Sequence, residues 1–105
     1  MIDDKVKGLL GLCRRAGKLS IGHDASVSSI KKRNAYLAIT CFDCSKRLKD
    51  EIFDECNFDG RNIPYIDSKI LMEELNVSIG IRAGVITVNE KNLAKELRKL
   101  AGGNE

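Results

Sequence analysis

No stretch of this chain approaches the roughly 18 consecutive apolar residues that a membrane-spanning helix needs, so the expectation contains no membrane. Histidine occurs once, as His23, and proline once, as Pro64. With a single histidine, the carboxylate pairs Asp50-Glu51 and Glu73-Glu74 lack a partner for acid–base work and read as solvated helix faces. A zinc site is short of ligands too: Cys41-Phe42-Asp43-Cys44 is one C-x-x-C, and neither Cys13 nor Cys56 supplies a second pair at close spacing. Charge of one sign is scarce as well. Eighteen Lys and Arg against fifteen Asp and Glu leave a net +3, too little for the bulk field alone to hold nucleic acid. Internal repeats, low-complexity runs and linkers are absent.

What is present describes an ordinary globular chain. At 105 residues with 43% apolar and 31% charged side chains, residues 1–105 are expected to form a single α/β domain with its own core. Met1, Ile2, Asp3 and Asp4 place acids where a signal peptide carries bases. A cytoplasmic protein with reduced thiols is therefore expected. Bases concentrate at Lys5, Lys7, Arg14, Arg15 and Lys18 and again at Lys31, Lys32 and Arg33, whereas Asp50, Glu51, Asp54, Glu55 and Asp59 make an acidic middle. If the two basic groups share a face, that face is the polyanion side.

Hydrophobic spacing sets the elements. Val6, Leu9, Leu10 and Cys13 predict a helix from Asp4, stopped at Gly17. Lys18 to Ile21 is a short extended piece, broken by Gly22, and Asp24 is the expected N-cap of a second helix that points Val27 and Ile30 inward and ends near Arg33-Asn34. Tyr36 to Cys41 reads as a central strand. Asp43 or Ser45 caps a third helix with Leu48, Ile52 and Cys56 on one side, closed by Gly60. Asn62 to Ile66 is a further strand, with Pro64 at its start or on an edge. Asp67 or Ser68 caps a short helix to about Leu75, and Ser78 to Gly84 is a loop bounded by glycines. Val85 to Val88 is the last strand, and Asn89 to Leu100 a terminal helix with Leu93, Leu97 and Leu100 inward. Residues 101–105 are expected to fray. Strands alternating with helices imply a three-layer α/β/α sandwich: a four-stranded mixed sheet with about five helices, its strand order left open.

Several local signatures carry a resemblance. Gly8-Leu9-Leu10-Gly11-Leu12-Cys13-Arg14-Arg15-Ala16-Gly17-Lys18-Leu19-Ser20-Ile21-Gly22, Ala35-Tyr36-Leu37-Ala38-Ile39, Asp43-Cys44-Ser45, Asn62-Ile63-Pro64-Tyr65 and Ile81-Arg82-Ala83-Gly84 together resemble the kink-turn-binding ribosomal protein superfamily of L seven-Ae and L thirty-e type, in particular its bacterial YlxQ-like branch. The resemblance implies non-catalytic binding of structured RNA, a kink-turn or related ribosomal RNA, in association with the ribosome. It places Gly22 where the family opens its RNA-reading helix and Ile81, Arg82 and Ala83 in the loop that closes over the RNA. Archaeal members read Gly-x-Asn-Glu with a lysine three residues after the glutamate; here Asp24, Ala25 and Ser28 stand in those places.

The expected RNA-binding residues are accordingly Lys18, Gly22, His23, Asp24, Ser28, Lys31, Lys32, Ile81, Arg82 and Ala83. A helix start offers unpaired N–H groups to phosphate, Lys18 adds a phosphate contact, Asp24 accepts from guanine N–H groups, and Arg82 combines charge with stacking. Lys18, the glycine helix tip and the Arg82 loop are expected to form a single cationic notch. Structured RNA, and with it the ribosome, is the expected partner of a monomeric protein without cofactor, metal or membrane. Two other readings stay open: a protein-interaction module on the same fold, favoured by Ser28 and the acidic third helix, and a metal or redox protein using Cys41 and Cys44.

Overall fold

Val6, Leu10 and Cys13 form the buried stripe of α1 (Asp4–Arg15) in the computed structural model, which describes residues 4–101. Leu9 packs at the margin of that stripe. The helix stops as expected. Gly17 takes φ +71°, a left-handed conformation that only glycine adopts freely, and the Lys18 N–H turns back to the Cys13 carbonyl at 2.9 Å. The chain then extends as β1 (Leu19–Ile21), turns at Gly22 and enters α2 (His23–Lys31).

β2 (Leu37–Thr40) and β4 (Val85–Val88) are buried at every residue, which is why they read as short unbroken apolar runs and lie in the middle of the sheet. Strand order is β1-β4-β2-β3, where β3 spans Tyr65–Asp67. β4 is antiparallel to both of its neighbours, and β2 and β3 are parallel. Pro64 meets both conditions set for it: it immediately precedes β3, and β3 is an edge strand. Its carbonyl accepts from the Ala38 N–H at 2.9 Å.

Alternation along the strands divides the core. Leu37, Ile39, Ile86 and Val88 face α1, α4 (Met72–Ile79) and α5 (Lys91–Ala101), whereas Ala38 and Val85 face α2 and α3 (Lys46–Asn57). The result is the expected three-layer sandwich of five helices about a four-stranded mixed sheet. Each fully buried leucine or isoleucine, such as Leu10, Ile52 or Leu97, contributes about 1.5–3 kcal/mol through removal from water. The polar groups in the sheet are paired: Thr40 shares a 2.7 Å hydrogen bond with the Tyr65 hydroxyl, and Thr87 donates to Asn89 Oδ1 at 3.2 Å.

Capping is where the structure departs from expectation. The N-cap of α2 is Gly22, not Asp24, which falls in the first turn. Of the two candidates for α3, Ser45 is the cap, accepting from the Leu48 N–H at 3.1 Å. Asp43 instead caps α4 from a distance of 29 residues, accepting from the Met72 N–H at 2.8 Å. Ser68 starts no helix: its hydroxyl donates to the Thr40 carbonyl at 2.7 Å and accepts from the Ile70 N–H. The fourth helix thus begins at Met72 and runs past Leu75 to Ile79, shortening the glycine-bounded loop to Gly80–Gly84. In α5 Leu97 and Ala94 are buried and Leu93 packs against the core as expected, while Leu100 is exposed. Asp3 and residues 102–105 of the tail expected to fray lie outside the described residues, and Ala101 ends α5.

Candidate functional site

β1 separates two ends of the sheet. At its C-terminal end the Gly22 N–H donates to the Val85 carbonyl at 2.9 Å; at its N-terminal end the Lys18 carbonyl accepts from the Asn89 N–H at 2.8 Å. Four residues of extended chain span about 13 Å at about 3.3 Å each.

Gly22 takes φ +91° and provides no side-chain cap to α2. The first-turn N–H groups of a helix have no partners within it, so those at His23, Asp24 and Ala25 face outward with the positive end of the helix dipole behind them. His23 lies between two carboxylates, with Nδ1 2.8 Å from Asp24 Oδ1 and Nε2 2.7 Å from Glu51 Oε2. Hydrogen bonding to Asp24, then to Glu51, raises its pKa above the usual 6.5. Along the outer face of α2, His23, Asp24, Val27, Ser28, Lys31 and Lys32 line a shallow groove.

The Gly80–Gly84 loop lies beside this tip. The Gly84 carbonyl accepts from the Cys41 N–H at 2.9 Å, and a side chain at Gly84 would meet Cys44 and Leu48 at 3.0 Å, so the loop is pressed against the β2–α3 turn. Ala83 is buried and its carbonyl accepts from the Cys41 thiol at 3.5 Å. Ile81 and Arg82 are exposed, and Arg82 pairs with Glu73 at 2.9 Å.

Of the ten expected residues, the structure brings Gly22, His23, Asp24, Ile81, Arg82 and Ala83 to one end of the sheet. Ser28 lies one turn along α2. Lys31 and Lys32 close that helix at the other end of the sheet, the end at which Lys18 stands. The expected single notch is therefore divided, because a three-residue strand between Lys18 and Gly22 must carry them to opposite ends. The two basic groups do not share a face as wholes: α1 and α2 occupy opposite layers, the Arg14 guanidinium is used to cap α4 at the Ile79 carbonyl, and only Lys18 of the first group stands at the end where Lys31 and Lys32 close α2. Glu51 is not among the expected residues, since nothing in its amphipathic helix marks it apart from Asp50 or Asp54. Its role depends on the packing of α3 against α2.

The cysteines do not carry the metal or redox reading. Burial pushes the thiols of Cys13, Cys41 and Cys56 up to about 11, about 12 and about 11, and burial raises Cys44 as well. A reactive dithiol needs the opposite shift. Among the described residues no group of three His, Cys, Asp or Glu side chains is placed to hold a metal ion. Among the same residues no helix is long and apolar enough to cross a membrane.

Residues 4–97 match the ribosomal protein L7Ae/L30e/S12e/Gadd45 family. The RNA-binding protein YlxQ of Bacillus subtilis (strain 168) is 32% identical over 95 residues, covering 88% of this chain and 90% of that protein. The RNA-binding protein YlxQ of Enterococcus faecium is 26% identical over 101 residues, covering 94% and 93%. Among solved structures, a protein of unknown function from Bacillus halodurans C superposes with a TM-score of 0.82 at 27% identity, over 93% of this chain and 97% of that one. The Giardia lamblia 15.5kD RNA binding protein superposes with a TM-score of 0.65 at 11% identity, over 95% and 91%, a likeness of fold alone.

Proposed function

Because the chain belongs to the ribosomal protein L7Ae/L30e/S12e/Gadd45 family, we propose that it binds structured RNA without catalysis, and that its target is a kink-turn or a related bent element of ribosomal RNA. The names of the two YlxQ relatives support RNA as the ligand. The observation that carries the reading is the open helix tip at Gly22, with no side-chain cap, set beside the Gly80–Gly84 loop. Free N–H groups there hold phosphate oxygens. Asp24, whose side chain is fully exposed, accepts from guanine edges, and the exposed Arg82 reaches the RNA from the neighbouring loop. A bent RNA presents a backbone and an open base edge together, which a straight duplex does not.

Association with the ribosome and action as a monomer in the cytoplasm belong to the same proposal. The acidic residues of α3 leave a protein-interaction module as the second reading; Glu51 favours it by neutralising His23 at the tip. A gel shift with a kink-turn duplex and a straight duplex of equal length decides between them. Preference for the kink-turn, reduced in Asp24→Ala by a factor of about 5 to 150 if an interaction of about 1–3 kcal/mol is removed, is the expected result. Equal, weak binding of both duplexes sinks the kink-turn reading.

A further inference from the structure

The end of the sheet away from the helix tip gathers four chain segments. Asn89 holds them together: its N–H donates to the Lys18 carbonyl, its amide donates to Ser20 Oγ at 2.9 Å, and its Oδ1 accepts from Ser29 Oγ at 2.7 Å. The Tyr36 N–H donates to the Val88 carbonyl at 2.8 Å. From these points Lys18, Lys31, Lys32 and Lys91 enter solvent, and Tyr36, 47% exposed, stands among them. Two acids lie close by, and both are engaged: Glu90 accepts from the Leu93 N–H at 2.7 Å, and Asp59 faces Arg33. Among the described residues the side chains of Lys18, Lys31, Lys32 and Lys91 make no ion pair or hydrogen bond.

Two of these lysines have an ordinary explanation. Lys31 and Lys32 end α2, where the helix dipole favours a base. Lys91 opens α5 next to Glu90, whose carboxylate already caps that helix, so the dipole neither requires nor excludes a base there. Four lysines without an ion-pair partner at one end of the sheet, with Tyr36 among them, point to a polyanion. The exposed Tyr36 ring adds a face on which a sugar or an unpaired base can rest.

We infer that this far end is a second RNA-contacting surface, one that holds backbone phosphates without reading bases. The inference rests on the RNA reading of the chain and extends it to a second site. Lys18 and Gly22 are separated by about 13 Å of strand, more than the roughly 8 Å screening length at physiological salt, so charge removed at Lys18 is largely screened from the tip. The tip selects the RNA and the far end adds grip to any RNA that the tip accepts.

The test uses the full chain, kink-turn and straight duplexes of equal length, and a salt series, with the wild type compared with the triple variant Lys18→Gln, Lys32→Gln, Lys91→Gln. The expected result is a log–log salt slope smaller by about 0.9 for each phosphate that the variant no longer neutralises, the same for both duplexes, with the preference between them unchanged. An unchanged slope overturns the inference and leaves the far end to an acidic protein partner. If the wild type shows no preference, the tip reading has failed, and the slope on either duplex still decides the far end. Lys91→Glu guards against a folding defect: an acid suits the start of α5, so the melting temperature should hold or rise while the slope falls. A slope that stays at the wild-type value in this variant also overturns the inference.

Discussion

The two ends of the sheet carry similar numbers of bases and treat them differently. At the helix tip, Arg82 pairs with Glu73, His23 is set between Asp24 and Glu51, Lys49 pairs with Asp67 and Lys46 with Asp50. At the far end Arg33 pairs with Asp59, whereas Lys18, Lys31, Lys32 and Lys91 are left to solvent. A cation already satisfied by a carboxylate contributes little long-range attraction but holds a shape, while an unpaired lysine attracts any polyanion and specifies none. In the proposed function the tip discriminates and the far end retains. A net charge of +3 conceals this division, because the sum says nothing of which bases are neutralised.

The comparison can be broken most severely at Asn89. Its replacement by alanine strands the Ser29 and Thr87 hydroxyls, both buried, at about 1–3 kcal/mol for each. Denaturant unfolding should show a loss of about 2–6 kcal/mol, and the far end should lose its RNA grip with it; a loss below about 1 kcal/mol would mean that Asn89 does not organise this end.

Gly22→Ala strikes the tip alone. A Cβ there meets nothing within 4 Å, so the cost comes from φ +91°, about 1–3 kcal/mol for a non-glycine residue held in that region. Thermal melting measures that cost, and the gel shift should lose kink-turn preference while keeping straight-duplex affinity. Retained preference would place recognition elsewhere.

Glu73→Gln sharpens the contrast by making the tip resemble the far end. An exposed pair is worth under about 1 kcal/mol, so stability should barely move. The released Arg82 should raise RNA affinity a few-fold at low salt and steepen the salt dependence. A flat response would show that Arg82 does not reach the RNA.

The smallest effect is at His23. Its pKa is raised above 6.5 by Asp24 and Glu51, so the stabilisation from these pairs is fully present below about pH 6.5 and is lost as pH rises through the higher folded-state value. Proton NMR of the imidazole should place the titration above 6.5, and Glu51→Gln should bring it down. An unmoved titration in that variant would remove Glu51 from the tip.

Much of the architecture was legible because it depends on local rules. The stripe Val6, Leu10, Cys13 requires a buried helical face, and the apolar runs at Leu37–Thr40 and Val85–Val88 require strands covered on both sides. Gly17 and Gly22 mark breaks that tertiary packing did not move. Caps were less legible, since Asp43 and Ser68 each stand near a helix start in sequence yet bond groups far along the chain. Six of the ten expected site residues do meet at the tip, because the Gly22 turn and the Gly80–Gly84 loop flank neighbouring strands. The separation of Lys18 from them follows from one short strand whose pairing with β4 is not written in its own residues.

From its own order of residues the chain determines where helices and strands form, which faces are apolar and where glycine must turn the backbone, because these depend on neighbours a few positions apart. Strand order, the α4 cap from Asp43, the His23–Glu51 contact and the choice of which bases find a carboxylate arose only in the folded molecule. Those features require side chains tens of residues apart to meet, and Coulomb interactions and hydrogen bonds act over distances in space that sequence separation does not report.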